Sequence, residues 1–141
     1  MTALANLLRL SRWHLDEKRQ KLADLERLQA RLQADIARLD ETLDAERQAA
    51  EQSDAARRAF PAYAEAERSR RQRLSESIAE VERQIEDSRE EVREAFREAK
   101  KYELAKTNQD TRARQKRERA ESAAMDEVGL QLHRRKRSGE G

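Results

Sequence analysis

His14 and His133 are the only imidazoles in this chain, and no cysteine accompanies them. A metal centre needs three or four ligands converging on one point, and a nucleophile needs a base beside it; neither set is evident around these lone histidines. The three glycines, Gly129, Gly139 and Gly141, lack the spacing of a phosphate-cradling loop. No enzyme activity, cofactor, small-molecule substrate or metal is expected. What the side chains offer is recognition. Arg112, Arg114, Lys116, Arg117 and Arg119 form a basic cluster. Phe60 and Tyr63 flank the only proline, Pro61, and Trp13 is the only tryptophan.

Some element must hold these groups in place. Of 141 residues, 43% are charged and 4% aromatic, too little apolar volume for an ordinary globular core. Disorder is the default for so polar a chain. The abundant residues, however, are Ala, Leu, Arg, Glu, Gln and Lys, all good helix formers, and periodicity decides the matter. With Leu8 at heptad position a, the a row reads Leu8, Leu15, Leu22, Gln29, Ile36, Leu43, Ala50. The d row reads Leu4, Ser11, Lys18, Leu25, Leu32, Leu39, Glu46. After Pro61 a second seam follows, with Arg71, Ile78, Ile85, Val92 and Ala99 at a. Its d row is Glu67, Leu74, Val81, Ser88, Ala95 and Tyr102. Two such stripes with charged flanks spell a coiled coil.

Proline disfavours helix at the residue before it and suits the first turn of a new one. The expectation is an all-α fold: a long antiparallel two-helix coiled-coil hairpin over 1–132. Helix one covers about 4–56, the turn about 54–60 and helix two about 61–132, with a basic flexible tail over 133–141. Helix one would be about 80 Å long and helix two would exceed roughly 100 Å, at ~1.5 Å per residue. The pairing that best matches the rows sets Leu43 against Leu74, Leu39 against Ile78, Ile36 against Val81 and Leu32 against Ile85. It also matches polar Gln29 with Ser88 and Glu46 with Arg71. Lys18 then faces Ala99, where it must snorkel. In this register residues 117 onward overhang.

The overhang is polar and basic first, then carries a short apolar stripe through Ala120, Ala124 or Met125, Val128 and Leu132. A lone helix of that kind is marginal in water, so it is either a solvated end or a helix that orders on a partner. Trp13, at f, is either an incidental exposed aromatic or an interface anchor. Phe60 and Tyr63 either cap the open end of the core or form a binding tip. The run HRRKR at 133–137 has no stacking aromatics beside it, so specific nucleic-acid binding is not expected. The net charge is only +2, and no apolar run approaches a membrane span. The chain reads as cytoplasmic. A self-associating structural rod and, further off, a basic nucleic-acid-associated coiled coil are the alternatives.

Four stretches carry a family likeness: LLRLSRWHLDEKRQKLADLE (7–26), AFPAYAEAERSRRQRL (59–74), EAFREAKKYELAKTNQDTRAR (94–114) and SAAMDEVGL (122–130). The specific features are Asp16-Glu17-Lys18-Arg19, Pro61 with Tyr63, Arg70-Arg71, Phe96, Lys100-Lys101, and Met125-Asp126 before Gly129. The chain resembles the bacterial flagellar export protein FliJ family. That resemblance implies a stalk of the flagellar type III export apparatus, similar to the central stalk of rotary ATPases and peripheral at the inner membrane. Its implied partners are the hexameric export ATPase, the cytoplasmic domain of the export-gate membrane protein, and export chaperones that it escorts. On this analogy Trp13, Arg112, Arg114, Lys116, Arg117, Met125 and Val128 would face the ATPase ring. Phe60, Tyr63, Arg68, Arg70 and Arg71 would face the gate.

Overall fold

Straight-chain and alanine-rich sequences lose little rotamer freedom in a helix. In the computed structural model, which describes residues 2–139, they form two helices: α1, Ala3–Ala50, and α2, Asp54–Gly139. The described residues contain no strand. Both helix starts are capped by hydroxyls. Thr2 Oγ1 accepts from the Ala5 amide at 3.2 Å, and Ser53 Oγ accepts from the Ala56 amide at 3.3 Å. Each thereby satisfies one of the orphan amides of a first turn. Asp54 adds a negative charge at the positive end of α2.

The break between the helices lies at residues 51–53 rather than 54–60. Glu51 and Gln52 amides bond back to the carbonyls of Gln48 and Ala49 at 3.2 and 3.1 Å. Arg57 then ties α2 to the turn, donating from Nη2 to the Glu51 carbonyl at 3.3 Å. The physical reason is the cap. Ser53 followed by Asp54 starts a helix that Ala55, Ala56, Arg57 and Arg58 readily continue. That gain outweighs the cost of carrying Pro61 inside α2, where its ring removes one backbone bond. At the other end, the segment expected as a tail continues α2 as far as Gly139; residues 140 and 141 lie outside the described residues.

Contacts divide the chain into two compact units. One is Arg12–Phe96; the other contains the described residues of 1–11 and 97–141. In the first, the two helices pack through Leu15, Leu39, Ala50, Ala64, Val81 and Ile85, all buried, with Leu22, Leu25, Leu32, Ile36, Leu43, Leu74, Ile78 and Val92 half-buried. Every one of these lies at a or d except Ala64, which extends the second seam back by one repeat. Each large aliphatic withdrawn from water contributes about 1.5–3 kcal/mol before entropy is counted. In the second unit Leu8, Ser11 and Ala99 are buried, and Ser11 satisfies its hydroxyl on the Leu7 carbonyl at 2.9 Å.

The register differs from the expected one. Arg71 reaches Asp40, not Glu46: Nε donates to Oδ1 at 2.9 Å and Nη2 to Oδ2 at 3.3 Å. Lys18 and Lys21 both approach Glu91 Oε2, at 3.5 and 3.3 Å. These contacts sit about one heptad from the expected pairing. A three-residue turn starts α2 seven residues earlier than a turn ending at Phe60 would, and this sets the register. Lys18 snorkels as expected, with Glu91 as its destination. Ser88 bears the consequence: only 1% of it is exposed, and its Oγ has no hydrogen-bond partner.

Candidate interaction surfaces

Every residue from Arg112 to Gly139 is exposed. The heptad stripe gives out near Lys106, and through the basic band that follows, to Arg119, the sequence supplies no aliphatic seam for another helix to cover. Arg112, Arg114, Lys116, Arg117 and Arg119 then occur with Glu118 as the only acid among them. Arg114 Nε approaches Glu118 at 3.9 Å. Among the described residues Arg112, Lys116 and Arg117 make no ion pair, unlike most arginines further up α2. Arg68, Arg83, Arg89 and Arg93 each pair with a glutamate three residues earlier. The cluster therefore presents cations whose charge is not neutralised by the next turn. Arg112 also borders a shallow hollow with Leu4, Ala105, Asn108 and Gln109. Further along, Met125 is 70% and Val128 49% exposed, with Leu130 and Leu132 exposed as well. An apolar stripe in water follows directly on the basic band.

Trp13 is 54% exposed, as its f position required. Its ring lies 5.2 Å from that of His14. It belongs to the Arg12–Phe96 unit, whereas the 112–128 residues belong to the other.

Near the turn, Phe60 and Tyr63 are half-buried and their rings stand 6.4 Å apart, tilted by 41°. One helical turn separates them along α2, which brings both to a small hollow shared with Glu46, Ala56 and Ala59. Desolvation, then the charges of Glu67 and Glu46, raise the Tyr63 phenol above its ordinary range, so it stays a neutral donor. On the other side of Tyr63, a second hollow is lined by Asp35, Arg38, Leu39, Thr42, Glu67 and Arg70. Arg70 is exposed there. Arg68 is held by Glu65 at 3.3 Å, and Arg71 by its two bonds to Asp40. Donating to the Asp40 carboxylate, and the charge of that carboxylate, raise the Arg71 pKa still further. The five residues thus divide: Phe60, Tyr63 and Arg70 border open hollows, while Arg68 and Arg71 already have anionic partners. The structure adds to this surface Glu46, which the heptad rows set against Arg71, and Ala59, which they did not single out. Glu46 is exposed despite its d position, because the observed register leaves it without the arginine expected opposite.

Among the described residues no three His, Cys, Asp or Glu side chains are placed to hold a metal ion. No described helix is long and apolar enough to cross a membrane. The hollows are shallow, and the described residues present fixed charges and apolar edges along the two helices.

A family model described as Flagellar FliJ protein matches residues 1–138. Comparison with curated proteins and with solved structures yields no match.

Proposed function

The chain belongs to the flagellar FliJ protein family, whose members are non-enzymatic and associated with flagellar export, and from that premise we propose that it is the stalk of a flagellar type III export apparatus. In this reading α1 and α2 form an antiparallel coiled-coil hairpin. The exposed end of α2 enters the ring of a hexameric export ATPase. One observation carries the proposal: residues 112–139 are helical yet wholly exposed, and their first third holds cations with no ion-pair partner. A helix polar around its circumference is marginal alone; a polar ring lining would stabilise it through many shallow, reversible contacts. Arg112, Arg114, Lys116 and Arg117 supply the charge, Met125 and Val128 the apolar contacts, and Trp13 a further anchor on α1.

Phe60, Tyr63 and Arg70 fit a second partner, the cytoplasmic domain of the export gate. Arg68 and Arg71 contribute charge there after exchanging Glu65 and Asp40 for partner carboxylates. Escort of export chaperones belongs to the same proposal, as does a peripheral place at the inner membrane. The test is direct. Reversing Arg112, Arg114 and Arg117 to glutamate should abolish stimulation of the purified export ATPase and leave helix content unchanged. Full stimulation by the triple variant would reject the α2 end as the ring contact.

A further inference from the structure

Two features of the Arg12–Phe96 unit point the same way. The first is Pro61, the eighth residue of α2. A proline so far inside a helix removes the backbone bond to Arg57 and crowds that carbonyl, and Phe60 before it is biased away from helical geometry. Asp54–Phe60 is therefore the weakest stretch of α2, and it is seven residues long. The second is the register. The observed pairs, Asp40 with Arg71 and Glu91 with Lys18 and Lys21, lie about one heptad from the pairing that best matches the aliphatic rows. Continuing the observed offset along the repeats puts Ser88 level with Leu22 and Glu67 level with Leu43. Ser88 Oγ is accordingly buried without a partner.

We propose that α2 slides along α1 by one heptad, driven by unwinding of Asp54–Phe60. Unwinding seven residues makes Pro61 the first residue of α2, the place proline favours. Because a heptad is also seven residues, the a and d stripes fall back into contact after the slide, about 10 Å further on at 1.5 Å per residue. Ser88 then meets Gln29, whose amide can bond its hydroxyl. Leu43 meets Leu74, and Leu39 meets Ile78. The slide gives up the Asp40–Arg71 and Glu91 ion pairs and brings Arg47 beside Arg71, so the observed register holds the larger population. A partner that bound residues 54–60 in extended form would shift the balance, and the displacement would be carried along a rigid helix. Two packings of one sequence serve elsewhere as switches of this kind. The inference rests on the antiparallel pairing proposed above.

The chain has no cysteine, so introduced pairs report cleanly. Three full-length double variants are exposed to a short thiol-specific crosslinker and initial rates are compared: D40C/R71C for the observed register, R47C/R71C for the slid one, and Q33C/R71C for the opposite heptad. Each is repeated with Pro61→Ala, and circular dichroism checks folding. The expected result is fast linking of 40–71, slower linking of 47–71 at least tenfold above 33–71, and loss of most of the 47–71 rate with Pro61→Ala. Equal rates for 47–71 and 33–71, or a 47–71 rate indifferent to Pro61→Ala, overturns the slide. Failure of 40–71 to link overturns the antiparallel pairing itself and, with it, both proposals.

Discussion

Replacing Ser88 with alanine should make this protein more stable, against the usual direction of core substitutions. Ser88 is 1% exposed and its hydroxyl has no partner. Leaving a buried donor and acceptor unsatisfied costs about 1–3 kcal/mol. Alanine removes that cost, and it is the better helix former by a few tenths of a kcal/mol. Against this stands the small void left by one oxygen atom, at about 24 cal/mol per Å³ of cavity, which offsets only part of the gain. The expected net gain is about 1–2 kcal/mol. For a cooperative unit of this size each kcal/mol moves the melting temperature by about 4–8 °C. Thermal and urea unfolding followed by far-UV circular dichroism would read it, with Ile85→Ala as the reference loss, about 2–5 kcal/mol for a well-packed aliphatic. A Ser88→Ala variant that melts lower than the parent would mean that the hydroxyl is satisfied, and the reasoning about its layer would fail.

Pro61→Ala restores a backbone bond inside α2 and should raise stability by up to about 3 kcal/mol, visible as a higher urea midpoint; an unchanged midpoint would show that the first two turns of α2 add nothing to the cooperative unit. Glu91 is held below the usual carboxylate range, first by the hydrogen bond from Lys21 and also by the charges of Lys18 and Lys21. A lowered folded pKa means that the contribution is complete above the unfolded value, near 4.5, and disappears as pH falls through the folded one. Glu91→Gln should therefore melt lower than the parent at pH 7 and level with it at low pH; a gap that persists in acid would contradict the assignment. Alanine at Phe60 and Tyr63 should weaken binding to the gate domain in a pull-down while helix content stays constant; a large loss of ellipticity would instead make the pair a cap on the core.

The heptad rows were legible because burial follows side-chain type at fixed spacing. Leu15, Leu39, Val81 and Ile85 were all placed on the seam from sequence and are all buried. The exposed basic band at 112–119 was legible for the complementary reason, the lack of aliphatics. The turn was not. Proline is a loud signal and Ser53-Asp54 a quiet one, yet a hydroxyl cap satisfies amides that would otherwise be orphaned, whereas an early proline forfeits one bond. The register followed the turn into error. Aliphatic layers repeat every seven residues and nearly match at either offset, so the choice falls to the turn's length and to Asp40, which lies off the a and d rows. Where Glu46 and Tyr63 would meet was hidden for the same reason.

Several carboxylates and guanidiniums of α1 and α2 are matched within one helix, three residues apart, as in Asp16 with Arg19, Asp44 with Arg47, Glu80 with Arg83 and Glu86 with Arg89. Salt screens these exposed pairs as well, but the seam between the helices is aliphatic and does not rely on charge. The unmatched cations at 112, 116 and 117 have no such protection. Concentrated salt should therefore elute whatever is bound there and leave the two-helix scaffold intact, which gives a gentle route to recovering a captured partner.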